Sequence, residues 1–340
     1  MRTSGSSGGL RCALVLLPVC PALCLAATGP GSQPDERDQA AAIEALAAAC
    51  AWPEPPSLEP QYLLERSPPP GSLSRIVTVA PSVTELLFAI DAGDRVVGVS
   101  RFDDYPPATR SLPKVGGFLD PSVEAVVGLA PSLVIGVPNA GNRVALERMA
   151  ALGVPVLVVP GNTLADVFHA TRTVGALFGA GHARRAAKLC QDIGETLRTL
   201  RARAPKSRRP RVAVVYGTGP LVLGGRNSFA GALVEALGGV NVAGSGPPYA
   251  QFSIESLLMA SPDLIIDVVE AHAESYRGAD TGDQATHGSG HSPIFAAWPA
   301  LRETRVRRMP LGALLRPSPR LVPAIKLLFD ALYEDPEPSD

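Results

Sequence analysis

A segment of fifteen residues occurs twice in this chain of 340 residues, and the duplication constrains the fold more than any other feature. The first copy begins at Ser122 and the second at Ser253, which is 131 positions later. Five of the fifteen aligned positions are identical, and four more exchange one branched aliphatic residue for another. Solenoid repeats have periods of about 20–50 residues, so this larger spacing predicts two similar lobes instead.

A second pair of matched segments precedes the two copies. Arg75–Ala80 corresponds to Arg211–Tyr216, 136 positions later, and both are typical of short buried strands. After the first strand, Ser82 and Glu85 have the spacing of a capping box, which predicts a helix capped by Ser82 and ending near Asp91. Strand, helix and strand in this order predict an α/β fold with two Rossmann-like lobes, each built on a central, mostly parallel sheet.

A long helical region lies between the two lobes. Leu164–Phe178 has apolar residues at helical spacing, Gly179–Gly181 interrupts the pattern, and His182–Ala204 continues it as a charged helix. A helix of about 23 residues spans about 35 Å. This length predicts that one stiff helix joins the lobes.

These patterns divide the chain into six parts. They are a signal peptide (1–27), a flexible Pro- and Ala-rich linker (28–74), an N-terminal α/β lobe (75–162), a helical region with the interdomain helix (163–204), a C-terminal α/β lobe (205–334) and a tail (335–340). A Pro-rich segment of this kind holds a folded part away from a surface, and simple disorder is a compatible interpretation.

The first 27 residues have the pattern of an export signal. Arg2 and Arg11 flank the start of an apolar stretch, Cys12–Ala22, and small residues follow it. The stretch is too short to span a bilayer comfortably, although a short membrane anchor is the alternative. Cys20 and Cys24 each lie in a sequence that loosely resembles a lipid-attachment site. We therefore expect export to the periplasm or another extracytoplasmic compartment, and a lipid anchor stays open.

Two cysteines, Cys50 and Cys190, remain after the signal peptide. Their separation in space decides between a disulfide and two separate thiols, and the sequence does not determine it. The formal net charge of the whole chain is −1. A balance so close to neutral does not favour a nucleic-acid partner.

The sequence holds few patterns that carry catalysis. HExxH, CxxC and the phosphate-binding GxxxxGK motif are all absent. Gly217–Gly219 follows a strand, but without the third glycine of a dinucleotide fingerprint it predicts only a tight turn. His287 and His291 lie in a Gly- and Ser-rich stretch, which predicts a surface loop and supplies too few ligands for a metal site.

Glu124 and Glu255 occupy equivalent positions in the two copies of the duplicated segment. Each lies in the first turn of a predicted helix, where the helix dipole favours a carboxylate by about 0.3–1 kcal/mol. The dipole alone accounts for both residues. The alternative is that each lobe exposes one carboxylate to basic residues of a partner.

Several further motifs match a known family. In the N-terminal half they are Val97–Ser100, Asp104–Pro107, Val115–Gly116, Glu124 and Leu129–Ile135, and in the C-terminal half Glu255, Ser261–Ile266 and Pro317–Arg320. With them, the chain from Arg75 to Leu332 resembles the helical-backbone (class III) substrate-binding proteins of ABC importers for cobalamin, haem and ferric siderophores. The resemblance implies a monomeric carrier that holds its ligand in a cleft between the lobes.

The resemblance also implies roles for particular residues. The ligand contacts that it implies are Phe102, Phe118, Val137, Tyr249 and Arg316. The three aromatic side chains would stack on a flat macrocycle, and the arginine would meet a carboxylate or phosphate of the ligand. The alternatives are packing at loop bases for the aromatic residues and capping of a lobe edge for Arg316.

In the family, one glutamate of each lobe docks onto arginines of the permease, so the resemblance implies docking roles for Glu124 and Glu255. It implies no resident cofactor, because any cobalt or iron arrives inside the ligand. Val137 and Val222 stand where cobalamin binders tend to have aromatic residues, and Gly312 stands where an acidic residue is expected. These departures leave cobalamin, haem and ferric siderophores open as ligands.

A second hypothesis is an exported metal-dependent enzyme, or a metal-ion-binding protein, that uses the same cleft. Its candidate residues are scattered: Asp103, Asp104 and His272. A carrier binds its ligand without turnover, whereas an enzyme needs a convergent set of acid, base or metal ligands.

Overall fold

The computed structural model describes residues 61–69, 71–161, 163–218, 220–268, 301, 304–309 and 320–334. The predicted signal peptide and tail therefore lie outside the described residues. So do Cys20, Cys24, Cys50, His272, His287, His291, Gly312 and Arg316.

The N-terminal lobe is built on a five-stranded sheet in the order β1-β5-β4-β2-β3. Its strands are β1 (Gln61–Tyr62), β2 (Ile76–Thr78), β3 (Val96–Gly98), β4 (Leu133–Gly136) and β5 (Val156–Val158). Every pair is parallel except β1 with β5. The helices of this lobe are α1 (Pro81–Ala89), α2 (Val123–Gly128) and α3 (Arg143–Ala151). The inner strands are continuous apolar runs, as expected for a sheet that is covered on both faces.

Two details of this lobe differ from the sequence predictions. Residues 61–69 were expected in the flexible linker, but β1 pairs with β5 and so covers the exposed edge of that strand. The capping box is also wrong: Ala80 is the N-cap of α1, and Pro81 occupies the first turn. Proline suits that position because its missing N–H would have no partner there. Ser82 therefore lies inside the helix, and Glu85 is available for another partner.

Two helices lie between the lobes along the chain, α4 (Leu164–Leu177) and the longer α5 (Ala180–Arg203). Gly179, with φ 96°, separates them, at the interruption that the sequence predicts. The 24 residues of α5 span about 36 Å. Ala186 packs in the core of the N-terminal lobe, whereas Ile193 and Leu197 pack in the core of the C-terminal lobe. The long helix therefore belongs to both cores and joins the lobes, as predicted.

The C-terminal lobe is built on a six-stranded sheet in the order β11-β10-β6-β7-β9, with β8 paired to β6. Its strands are β6 (Arg211–Thr218), β7 (Leu221–Gly224), β8 (Val240–Asn241), β9 (Tyr249–Gln251), β10 (Leu264–Asp267) and β11 (Arg305–Arg308). Its helices are α6 (Phe229–Ala236), α7 (Ile254–Met259) and α8 (Leu321–Tyr333). Strands β6, β8, β10 and β11 pair in parallel, and β7 and β9 add an antiparallel edge.

The duplication predicted from the sequence is present in the structure. Helix α2 leads into β4, which pairs in parallel with β2, and helix α7 leads into β10, which pairs in parallel with β6. Among the described residues, none of the helices combines the length and the apolar character that crossing a bilayer requires.

Candidate functional site

The N-terminal lobe presents three predicted ligand contacts on loops that follow its strands. Phe102 lies after β3, Val137 directly follows β4, and Phe118 lies on the loop that leads to α2. In open α/β sheets, ligands bind outside the carboxyl ends of the strands. The topology therefore brings these three residues to the edge where a ligand site is expected.

Asn142 joins two of these loops. Its side chain is fully buried, and its Nδ2 donates to the carbonyl oxygens of Phe118 at 2.9 Å and Val137 at 3.0 Å. Its Oδ1 accepts from the backbone N–H of Asn139 at 2.9 Å. One buried amide thus sets the spacing between the Phe118 loop and the Val137 loop. Phe118 is half-buried, and Val137 is 7% exposed.

The Phe102 loop is held against the Phe118 loop. The backbone N–H of Arg101 donates to the carbonyl of Gly116 at 2.7 Å. The Arg101 guanidinium lies 5.3 Å from the centre of the Phe102 ring and donates to the Asp120 carboxylate at 2.6 Å. These contacts order the half-buried Phe102 without covering it completely.

The two aspartates after Phe102 differ in their surroundings. Asp103 is 3% exposed and accepts a hydrogen bond from the Ser100 hydroxyl, whereas Asp104 is exposed. Lys114 Nζ donates to the Asp103 carbonyl at 3.1 Å. Partial burial lowers the pKa of Lys114, and the negative charges of both aspartates oppose that shift. Within the described ranges no three His, Cys, Asp or Glu side chains are grouped as a metal site.

The C-terminal lobe contributes Tyr249, on the edge strand β9. Its side chain is 49% exposed and meets Tyr216 edge to face, with ring centres 4.9 Å apart. Tyr216 is half-buried with its hydroxyl oxygen out of contact with water, and this desolvation raises the pKa of the hydroxyl far above the ordinary value. The inner tyrosine therefore stays neutral and supports the outer one. Val222 lies on β7, where it pairs with Gln251 of β9, and is half-buried; Gly224 is the residue opposite Tyr249.

An ion pair connects the two lobes. Glu85 of α1 is 2% exposed, and its carboxylate accepts from Arg320, which immediately precedes α8, at 2.6 and 2.9 Å. The Arg320 guanidinium also lies 4.4 Å from the centre of the Tyr105 ring. Tyr105 is 44% exposed, on the loop that follows Phe102. The pair thus links the loop region of the N-terminal lobe to the last helix of the C-terminal lobe.

The two predicted docking glutamates have matching positions on the surface. Glu124 and Glu255 are exposed, each in the first turn of its helix. Ser122 caps α2 by accepting from Ala125 N, and Ser253 caps α7 by accepting from Ser256 N, both at 3.1 Å. The Glu255 carboxylate accepts hydrogen bonds from its own backbone N–H and from the Ser253 side chain, and both lower its pKa.

Sequence reasoning missed two residues of this region. Asn142 has no motif around it, and only its contacts with two distant loops reveal its role. Glu85 was interpreted as a capping residue, although its partner Arg320 lies 235 positions away. The spacing within one helix accounts for Glu85, and no local pattern indicates a partner so distant in the sequence.

The sequence profile of the family described as "Periplasmic binding protein" matches residues 76–311. This chain belongs to that family. It has the class III architecture, because one long helix joins two α/β lobes.

Several members of this periplasmic binding protein family are similar over most of the chain. A vitamin B12-binding protein of Vibrio parahaemolyticus is 26% identical over 258 residues, which are 74% of this chain and 87% of that protein. The periplasmic haem-binding protein RhuT of Roseiflexus sp. RS-1, solved in its apo form, is 28% identical, with a TM-score of 0.64. That comparison covers 77% of this chain and 98% of RhuT.

The vitamin B12-binding protein BtuF of Vibrio cholerae has the same fold. The TM-score is 0.62 at 24% identity, over 76% of this chain and 96% of BtuF. The binding proteins of the family therefore share the whole two-lobed architecture with this chain.

Proposed function

We propose that this protein is the solute-binding component of an ABC importer, and that it carries a metal chelate from the periplasm to the importer's permease. The observation that carries the proposal is the similarity of this chain, over 74% and 77% of its length, to binding proteins for vitamin B12 and haem. Because these relatives are named as binding proteins, we expect this protein to bind its ligand without turnover. No observation among the described residues favours the metal-dependent enzyme.

We expect the cleft between the lobes to accept a flat, largely apolar ligand. Phe102 and Phe118 belong to the N-terminal lobe and Tyr249 to the C-terminal lobe, and none of the three is fully buried, which supports a contribution of aromatic surface from each lobe. Aromatic rings provide large contact area with defined geometry, which a macrocycle requires. We propose Val137, which is 7% exposed directly after β4, as a further small apolar contact. Cobalamin, haem and ferric siderophores remain the candidate ligands, and we expect Arg316 to meet an acidic group on the ligand.

The surfaces around the two glutamates support docking onto a membrane protein. Val127 is 38% exposed near Glu124, and Met259 is 86% exposed near Glu255. Each carboxylate thus stands beside apolar surface, in the arrangement of a charged anchor within an interface. Because its pKa is lowered, the Glu255 carboxylate stays negatively charged to a lower pH than an ordinary glutamate does. We infer that arginines of the permease receive Glu124 and Glu255.

Charge reversal tests the docking role. We expect the double variant Glu124→Arg, Glu255→Arg to bind ligand as the wild type does and to abolish uptake, because two like-charged contacts replace two attractive ones. Uptake of radiolabelled cyanocobalamin and haemin by cells that contain the protein and its importer measures transport. Calorimetric titration of the purified variant measures ligand binding.

The matched control is Glu195→Arg, because Glu195 is an exposed glutamate on the long helix α5. This control should transport normally. Normal uptake by the double variant would contradict the docking role.

A further inference from the structure

The two helices that carry Glu124 and Glu255 are too short to set their own direction. Both α2 and α7 contain six residues, less than two turns, and helices of that length have no independent stability. Each helix buries a single side chain in its lobe, Val126 in α2 and Leu257 in α7. One fully buried anchor, one serine cap and a few partly buried apolar side chains hold each helix, and the carbonyl groups at its far end still need a partner.

An arginine holds that end in both lobes. In the N-terminal lobe, Arg75 donates to the carbonyl of Leu129, the C-cap of α2, from Nε at 3.2 Å and from a terminal nitrogen at 2.7 Å. In the C-terminal lobe, Arg211 donates to the carbonyl of Ala260, the C-cap of α7, at 3.1 and 2.7 Å. The two contacts have the same donors, the same kind of acceptor and nearly the same lengths.

The backbone of each arginine is hydrogen-bonded to the residue just before the strand that follows the helix. Arg75 N donates to the Ser132 hydroxyl at 3.1 Å, and Arg211 N donates to the Asp263 carboxylate at 2.7 Å. In return, the backbone N–H of Ser132 and that of Asp263 donate to the arginine carbonyls, both at 2.8 Å. Each arginine thus connects the sheet to the last turn of its helix.

The chemistry of the contact explains why arginine occupies both positions. The last carbonyls of a helix have no partner within it, and a positive charge there complements the helix dipole. The planar guanidinium offers parallel N–H donors, whereas lysine offers a flexible point charge. The chain then turns through Ala130 and Ser261, with φ values of 45° and 42°, so the helix end meets a sharp turn in each lobe.

We propose that Arg75 and Arg211 are positioning residues for docking, and that they hold α2 and α7 so that Glu124 and Glu255 face the permease at a fixed separation and direction. The proposal rests on the docking role proposed above. Both arginines are exposed at the surface. We therefore infer that the repeated arginine contacts orient the two surface helices and contribute less to packing of the core.

Variants of the full-length protein test this proposal. We expect Arg75→Gln and Arg211→Gln, singly and together, to weaken binding to the importer reconstituted in nanodiscs, by about tenfold for the double variant. Binding of cyanocobalamin and haemin should stay within about twofold of the wild type, since the cleft is unchanged. Amide hydrogen exchange should become faster in residues 123–129 and 254–260. Lysine at both positions should restore part of the binding, because it keeps the charge and one donor.

The control is Arg198→Gln, which removes an exposed arginine of α5 and should change none of these quantities. Unchanged importer affinity in the double glutamine variant would overturn the proposal. An equal loss of ligand affinity and importer affinity would also overturn it, because it would show a general structural role. If the Glu124→Arg, Glu255→Arg variant docks normally, the docking role itself fails; if only the arginine variants dock normally, the positioning role alone fails.

Discussion

At the scale of single residues, Asn142 shows how a buried polar group shapes the cleft. Its amide satisfies the carbonyls of Phe118 and Val137. We expect Asn142→Ala to lower the free energy of unfolding by about 2 kcal/mol, because buried carbonyls lose their donor. Ligand affinity should fall as well, since the two loops lose their common support. Urea unfolding and ligand titration measure the two effects.

Asn227→Ala is the matched control for this substitution. Asn227 also donates to two backbone carbonyls, of Ser245 and Gly246, but it is exposed. Because water replaces the hydrogen bonds of Asn227, the free energy of unfolding should fall by less than about 0.5 kcal/mol. Equal effects of the two substitutions would contradict the role assigned to Asn142.

The loops that carry the aromatic residues could be predicted from the sequence, but the long-range contacts that hold those loops in place could not. Phe102 and Tyr249 lie near motifs that are typical of loops after strands, so the order of the elements predicts where in the fold each residue lies. Asn142 and the partner of Glu85 depend on contacts across 24 and 235 positions. No local periodicity records such pairs, and only the packed structure brings them together.

At the scale of elements, the packing of α4 against α5 depends on Gly175. A Cβ at this position would lie 2.4 Å from Cβ of Ala186 on the facing helix. We expect Gly175→Ala to lower the free energy of unfolding by about 1–3 kcal/mol, because the helices must move apart.

Gly181→Ala is the control for that change, and it should have the opposite sign. The nearest group to a Cβ at Gly181 is the end of the Arg185 side chain, at 3.7 Å. Alanine has the higher helix propensity, so stability should rise by up to about 1 kcal/mol. Thermal and urea unfolding of both variants check the two signs, and a loss of stability in both would contradict the account of this interface.

Most elements could be predicted because the chain repeats itself. The copies that begin at Ser122 and Ser253 predict α2–β4 and α7–β10, and the structure confirms both. The antiparallel strands β7 and β9 were not predicted, because the N-terminal lobe has no counterpart that would reveal them. The sequence predicts a tight turn at Gly217–Gly219, but Gly217 and Thr218 instead end strand β6 and pair with Val222 and Leu221 of β7, while Gly219 lies outside the described residues.

At the scale of the whole molecule, the ion pair between Glu85 and Arg320 links the lobes. The side chain of Glu85 is 1% exposed, and that of Arg320 is 29% exposed. We expect Glu85→Gln to lower the free energy of unfolding by about 2–3 kcal/mol, below the value for a fully buried pair because water reaches Arg320.

The exposed pair of Arg101 and Asp120 provides the comparison, with 50% and 62% of the side chains accessible. Asp120→Asn should cost less than about 1 kcal/mol. Equilibrium unfolding of both variants in urea makes the measurement. A cost for Glu85→Gln no larger than that for Asp120→Asn would contradict a stabilising link between the lobes.

The most direct test of the whole account is a calorimetric and absorbance titration of the purified protein with cyanocobalamin, haemin and a ferric siderophore. We predict that at least one of them binds saturably, one per chain, with a Kd of about 1 μM or lower. Phe102→Ala should weaken that binding about tenfold. Leu152→Ala, which removes a side chain 65% exposed at the opposite edge of the sheet, should leave it unchanged. Binding of none of the three at about 100 μM, or turnover of the bound compound, would contradict a carrier of metal chelates.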